Sequence, residues 1–433
     1  MNGIQLNSLF TAFLSIYVLQ SLFVVWLESL NRKYLEQKGN RIPEGFDGFI
    51  DQAKLRKITA YTREQSRMGI IEHVASDVIL LVVILSGFLP HLARLLSDAR
   101  HLPYILSGLL FFMTPGVIFY LAGLPFDYYD TFVIEEKYGF NRSTLKLWIT
   151  DHIKSGLISI ILSSILLSLI LWMIDISPGY WWLWGFLIVS FIQILLAVLY
   201  PVLIAPLFNK FTPVQDQDLA GKIKSLMERG GIKVKTILQM DAGERSRHTN
   251  AYFTGIGRTK RIVLFDTLLE SHPHDEILGV LAHEVGHFRG RHVIKQIVFF
   301  EIAMLLGFYF TYRVMGWPVL YETFGFTAPL PYVGLFFVGI LWQKLGFLFK
   351  PFYMAISRRY ERQADAFSVR LLKTAEPMIV SLKRLASDNL ANLTPHPLYV
   401  WFNYSHPPLV ERVAFLAEAA RLENASGRDQ EIR

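Results

Sequence analysis

The chain has 433 residues and a formal net charge of +7, with 52% hydrophobic and 18% charged residues and a mean hydropathy of +0.34. A soluble domain is nearer a quarter charged, and the basic residues here lie between apolar runs rather than on one face of a recognisable module, so nucleic acid is not expected as a partner and a bilayer is. Cysteine is absent, which excludes disulfides, thiolate metal ligands, a cysteine nucleophile and cysteine lipidation.

The first apolar run, Leu6–Leu30, has no preceding Lys or Arg and exceeds the apolar core of a signal peptide, so a retained transmembrane helix is expected rather than a cleaved leader. Six further runs follow: Ser76–Leu96, Pro103–Leu124, Ser155–Ile176, Tyr180–Ile204, Val293–Trp317 and Pro329–Ile356. Pro115 and Pro201 are expected to kink their helices. The connections carry the orientation signal. Residues 31–75 are crowded with basic residues (Arg32, Lys33, Arg63 and Arg67 among them), residues 125–154 carry four, and 205–292 is long and polar, whereas Asp175–Gly179 and Pro318–Ala328 carry none. The positive-inside rule then gives an outside N terminus, seven spans, and a cytosolic C terminus. Four regions result: 1–204 with five spans and cytosolic loops at 31–75 and 125–154; 205–292, a cytosolic unit; 293–356 with spans six and seven; and 357–433, a C-terminal part ending in a polar tail.

Within 205–292, Asp216–Arg229 reads as a helix, Val234–Met240 as a strand, and Ala251–Thr254 with Ile262–Phe265 as a hairpin around a Gly255–Lys260 turn. A helix follows Pro273 and contains His283-Glu284-Val285-Gly286-His287. Histidines four apart share a helix face and can converge on one metal ion, with Glu284 close enough to act as general base on a water. The bare pattern also fits a buried helix whose histidines bond core carbonyls. The apolar stripe of Ile277, Leu278, Leu281, Val285 and Phe288 supplies the helical context that favours the metal.

Zinc in such a site needs a third protein ligand. An extended three-histidine pattern would place it at residue 293, which is Val293; His292 is one residue early, about a hundred degrees around the helix, and reads as a polar boundary residue. The other candidate is Glu361, with Asp365 one turn on to accept a hydrogen bond from a ligand imidazole. A solvated helix pairing Arg358 with Glu361 would give the same local sequence.

HEVGH, the later Glu361-Arg-Gln-Ala-Asp365 and Ser405–Arg412 (SHPPLVER) together resemble the type I CAAX prenyl endopeptidases, integral-membrane gluzincins. Pro125–Asp130, Glu135–Asn141 and Asn250–Phe253 are also similar to that family, and the motifs keep its order. The resemblance implies a mainly α polytopic protein with seven transmembrane helices around a chamber and a gluzincin-like domain containing a small sheet. It also implies one Zn2+ bound by His283, His287 and Glu361, with Glu284 as base and Asp365 supporting the ligands. His406 and Arg412 would line the cleft, His406 as an oxyanion donor and Arg412 as a positioning charge or a ligand for a substrate carboxylate. Without the resemblance, His406 reads equally as a turn residue before Pro407-Pro408.

A strand at Asn250, Ala251, Tyr252 and Phe253 could pair with an extended substrate, or serve structure alone. Glu301 and Lys344, inside spans six and seven, are expected to face the interior, paired with each other or lining a wet cavity. The leading reading is a membrane zinc endopeptidase acting on peptide or protein tails of CAAX type, prenylated or not. A quality-control protease for membrane proteins shares its chemistry, and a transporter or scaffold with a vestigial metal site is the reading from another class. A monomer is expected, and the compact loops favour a bacterial inner membrane over endoplasmic reticulum.

Overall fold

The computed structural model describes residues 3–98, 102–254 and 260–431, with backbone alone for 426–431. In chain order the helices begin with α1 (Ser8–Lys38), α2 (Gln52–Leu85), α3 (Phe88–Asp98) and α4 (Tyr104–Tyr129). Next come α5 (Glu136–Tyr138), α6 (Leu145–Ile176) and α7 (Trp181–Leu199). Asn7, Asp51 and Thr144 start α1, α2 and α6, each accepting from a backbone N–H in the first turn. Turns of π-helix at Asp130–Glu135 and Tyr200–Ile204 follow α4 and α7, the second containing Pro201; Pro115 lies inside α4, which continues past it.

Strand β1 (Phe211–Pro213), α8 (Gln217–Arg229), β2 (Thr236–Met240), β3 (Ala251–Thr254) and β4 (Arg261–Phe265) form the polar unit. Its sheet has the order β1-β2-β4-β3, antiparallel except for the parallel β2–β4 pair. The expected hairpin is therefore present as β3 and β4, paired Ala251 to Leu264 and Thr254 to Arg261, while its turn at 255–259 lies outside the described residues. Two helices continue the unit, α9 (Asp266–Ser271) and α10 (His274–Arg289). The remaining helices are α11 (His292–Met315), α12 (Pro318–Thr323), α13 (Pro331–Leu372), α14 (Glu376–Asp388), α15 (Pro397–Asn403) and α16 (Leu409–Glu431).

Seven helices are long and apolar enough to cross a membrane: α1, α4, α6, α7, α11 and α13 where the runs were expected, and α2, which ends at Leu85 because the left-handed Gly87 breaks the run expected to reach Leu96. The chain is a multi-pass integral membrane protein. Two further boundaries differ from expectation. Residues 31–75 are mostly helix, because α1 runs on to Lys38 and α2 starts at Gln52, and the turn between them buries Phe46 and Ile50 against Tyr138, Phe140 and Leu390. A polar helical extension carries no apolar run, so hydropathy alone ends each span too soon. The C-terminal tail is likewise helical to Glu431, as the backbone of α16 shows.

Helix α13 is one rod of 42 residues. At about 1.5 Å per residue it is about twice as long as a bilayer's apolar core of about 30 Å is thick. Its C-terminal part, with Glu361 and Asp365, therefore projects beyond the membrane. Helices α10 and α11 do not form one continuous rod. Arg291 is left-handed (φ 54°) after Gly290, which interrupts the hydrogen-bond ladder and starts α11 afresh at His292. In the membrane core Tyr17, Leu89, Phe111, Leu171 and Phe337 pack together; a second core under the sheet joins Ile223, Leu226, Ile262 and Leu264 to Leu281 and Val285 of α10.

Lys344 and Glu301 do turn inward but not to each other. Lys344 is buried, donating to Asp77 Oδ1 at 2.9 Å and Gln20 Oε1 at 2.8 Å above the Tyr17 ring. Glu301 instead accepts from Ser190 Oγ on α7 at 2.6 Å.

Candidate metal centre

Gly286, inside HEVGH, decides how closely the metal helix approaches α13. A Cβ there would sit 2.7 Å from Ala364 Cα and 2.9 Å from its carbonyl oxygen. The two backbones touch at that point, and the contact carries Glu361 and Asp365 to the histidines. Buried Leu281, Ala282 and Val285 hold the opposite face of α10 against the sheet. At the start of α10, Glu276 accepts both arms of Arg384 from α14 at 2.7 and 2.9 Å.

His283 Nε2, His287 Nε2 and one carboxylate of Glu361 form a tight triangle. The nitrogens are 3.1 Å apart, His283 is 3.3 Å from Glu361 Oε2, and His287 is 3.1 Å from Oε1. Behind them, each imidazole has a partner on its other nitrogen. His283 Nδ1 donates to Asp365 Oδ1 at 2.7 Å, and Asp365 is fully buried. His287 Nδ1 is 3.1 Å from His292 Nδ1, and His292 Nε2 is 2.9 Å from the amide oxygen of Gln363. If Gln363 takes the Nε2 proton of His292, its Nδ1 is left as acceptor for His287 Nδ1–H. Both ligand histidines then present bare Nε2 lone pairs to one another and to a carboxylate.

Three electron-rich groups aimed at one point call for a cation. The donor set of two imidazoles and a carboxylate suits zinc. Ligand bonds of about 2.0–2.2 Å in a tetrahedron separate the donor atoms by roughly 3.3–3.5 Å, close to what is found. Glu361 Oε2 is buried without a hydrogen-bond partner, as a ligand oxygen would be. In the metal-free chain, burial disfavours the charged form of His283, yet the hydrogen bonds it donates to the Asp365 and Glu361 carboxylates outweigh it and raise its pKa to about 9. The site's demand for positive charge is the same demand a metal would meet. Among the described residues this is the one metal-competent group of three such side chains.

Glu284 is half-buried and makes no hydrogen bond or ion pair with another described residue, so its carboxylate is free. His406 has over half its side chain exposed, 3.3 Å from Glu361 Oε1 on the open side. Ser405 Oγ lies 2.9 Å from its Nδ1, and burial lowers its pKa below the ordinary histidine value. Arg412, expected to line the cleft, lies against the ligand residues, its Nη2 3.3 Å from His283 Nδ1 and 3.8 Å from Glu361 Oε2. It is buried, and its Nε and Nη2 donate to Asp365 at 2.9 and 2.6 Å. The Asp365 carboxylate, and not a substrate, occupies that guanidinium edge; burial opposes its charge and Asp365 more than restores it. Ala251–Phe253 fall on the last strand of the sheet, β3, which pairs with β4 on one side only and packs against α10, and Asn250 directly precedes it.

His292 and Gln363 are what the sequence reading passed over. His292 is buried, not a boundary residue, because the left-handed Arg291 folds its ring back toward His287 and over Tyr360, stacked at 4.3 Å. A Cβ at Gly290 would lie 2.2 Å from that ring, so the glycine makes the fold-back possible. Straight helical geometry at 292 points elsewhere. A Gly-Arg pair ahead of the histidine was the available signal.

Seven spans, a metal helix with its glutamate free, and a third ligand delivered by the last span define an integral-membrane metallopeptidase. Comparison with known proteins makes the assignment particular. Residues 31–210 match the family model described as CAAX prenyl protease N-terminal, five membrane helices, and residues 213–420 match peptidase family M48. CAAX prenyl protease 1 of Saccharomyces cerevisiae is 34% identical, covering 89% of this chain and 90% of the relative. Its homolog from Arabidopsis thaliana is 35% identical over 86% and 89% of the two chains. The crystal structure of S. mikatae Ste24p superposes with a TM-score of 0.88 at 32% identity, over 93% of this chain and 98% of that one. The chain belongs to peptidase family M48, in its CAAX prenyl protease group, and is a membrane metalloendopeptidase. The alternative of a transporter with a vestigial site falls with that finding.

Proposed function

We propose that the protein is a zinc endopeptidase that hydrolyses CAAX-type C-terminal tails, prenylated ones included, at the membrane surface. The observation that carries this reading is the convergence of His283, His287 and Glu361 beside an unengaged Glu284. The names of the relatives supply the substrate class. His283, His287 and Glu361 hold the zinc, which when bound supplies Lewis acidity toward water and the scissile carbonyl. Asp365 and His292 keep the two imidazoles in the tautomer that ligates, and Arg412 neutralises Asp365 so that this buried carboxylate stays charged and fixed.

Glu284 takes the proton of the attacking water and passes it to the leaving amine nitrogen. His406, with Ser405 donating to Nδ1, offers an Nε2–H to the oxyanion that develops on the carbonyl. Asn250–Phe253 present the open edge of β3 to an extended substrate, which would add as a strand alongside α10. The seven spans bound the chamber in which the rest of the tail is held. The basic loops on the metal side support a cytosolic metal centre and an outside N terminus. The relatives named above are eukaryotic, so compact loops do not single out a bacterial membrane. We propose a monomer.

The test is cleavage of matched prenylated and unprenylated CAAX peptides and an unfolded membrane protein by the purified chain. The proposal predicts cleavage of the tail peptides before their last three residues with the prenylated form preferred. Preference for the unfolded protein, with both tails left intact, would assign it to quality control instead.

A further inference from the structure

Away from the metal centre, a cavity of about 870 Å³ opens between α1, α2 and the end of α4. Arg32, Arg63 and Arg67 line it, and none of the three makes a hydrogen bond or ion pair with another described residue. Lys137 also lines it but is held by Glu64 at 2.6 Å, and Glu64 accepts from Tyr138 as well. Glu36 is the one other carboxylate in the lining. Three uncommitted guanidiniums thus face one uncommitted carboxylate, and a cluster of like charges in a concave wall favours an anion.

The position of the cavity says which anion. Arg32 comes two residues after the first apolar run ends at Leu30, and Pro125 and Phe126 come directly after the third run ends at Leu124. The cavity therefore opens at the bilayer edge, on the side that holds the metal centre: Asn31 accepts from His396 N and Glu28 from Tyr399, both in the C-terminal segment. Along α2 the lining is graded. Ile71 lies toward the membrane, Met68 and Arg67 follow about one turn further out, and Arg63 about one turn beyond them. An amphiphile with a phosphate beyond its apolar part matches that gradient. Arginine's planar fork suits phosphate oxygens, and basic pockets between spans at the membrane surface take lipid headgroups.

We propose that this cavity binds the headgroup phosphate of an anionic membrane phospholipid. The purified full chain in neutral detergent is titrated with dioctanoyl phosphatidic acid, dioctanoyl phosphatidylcholine and inorganic phosphate, with bound lipid counted by native mass spectrometry. One phosphatidic acid per chain is expected, bound at least about tenfold tighter than the other two probes. The double variant Arg63→Gln/Arg67→Gln should weaken phosphatidic acid by about tenfold or more, with zinc content and peptide cleavage in detergent unchanged. Lys224→Gln/Lys233→Gln removes the same charge from the polar unit and should leave lipid binding as in wild type. Arg32→Gln provides an independent variant if the double one does not fold. The proposal is overturned if inorganic phosphate binds as tightly as the lipid, if the arginine variants bind it normally, or if the lysine control loses as much.

Discussion

Replacing Gly286 with alanine tests whether backbone contact between α10 and α13 sets the metal site. The new Cβ would meet Ala364 Cα at 2.7 Å, where ordinary contact begins at 3.4 Å, so the helices must part by at least 0.7 Å. That movement is a large fraction of a metal–ligand bond, and it acts on the helix that carries Glu361 while both histidines stay on α10. The global cost is modest: overpacking costs about 1–3 kcal/mol, offset by about 1 kcal/mol of better helix propensity. The local cost is larger, since a misplacement of about 1 Å can lower activity about a hundredfold. Zinc affinity by chelator competition should fall at least about tenfold, while the unfolding midpoint in detergent stays near wild type. Gly221→Ala on α8, where a Cβ meets nothing within 4 Å, should keep full metal and activity. Wild-type zinc affinity and cleavage in Gly286→Ala would refute the close-contact reasoning.

Removing either support behind the ligands should weaken zinc by about 10–100-fold: His292→Phe keeps the stack on Tyr360 but loses the hydrogen bond to His287, and Asp365→Asn also leaves Arg412 buried without its counter-charge. Chelator competition reads both, and unchanged affinity would contradict the tautomer argument. The raised pKa of His283 gives a pH dependence. A histidine raised from 6.5 to about 9 on folding contributes stability that is complete below 6.5 and lost as pH rises through 9. The metal-free protein should therefore lose up to roughly 3 kcal/mol across that window, and zinc, which displaces the proton, should bind more tightly as pH rises through it; a flat affinity profile would oppose this. In the membrane, Lys344→Met takes from Asp77 its lysine partner, leaving Tyr17 Oη at 3.0 Å and His73 Nε2 at 3.5 Å, and should cost up to about 3–5 kcal/mol. Adding Asp77→Leu should recover much of that loss in a double-mutant cycle of unfolding.

Most of the fold was legible because the bilayer imposes it. Each apolar run has to be long enough to cross, and α1, α4, α6, α7, α11 and α13 lie where the runs do. The helix carrying His283 and His287 was legible because its histidines are one turn apart, and the structure brings Glu361 of α13 to them. What was hidden depends on contacts between distant segments. The helical 31–75 region is polar outside its buried Phe46 and Ile50, and only their docking on Phe140 and Leu390 shows that it is structured. His292 was misjudged because its direction follows from one left-handed residue rather than from helical periodicity. Arg412 read as a positioning charge or a substrate ligand, since charge in sequence does not reveal that its Nε and Nη2 meet Asp365. Lys344 and Glu301 were expected to face inward, paired with each other or lining a wet cavity, and α1, α2 and α7 supply their partners instead.

The central claim is that Glu284 moves the proton while His283, His287 and Glu361 hold the metal. It is tested most directly by measuring zinc content and CAAX-peptide cleavage together for wild type, Glu284→Gln and Glu361→Ala. The account predicts about one zinc and a loss of at least about a hundredfold in kcat for Glu284→Gln, and loss of both zinc and cleavage for Glu361→Ala. Near-wild-type cleavage by Glu284→Gln, or full zinc retention by Glu361→Ala, would contradict it.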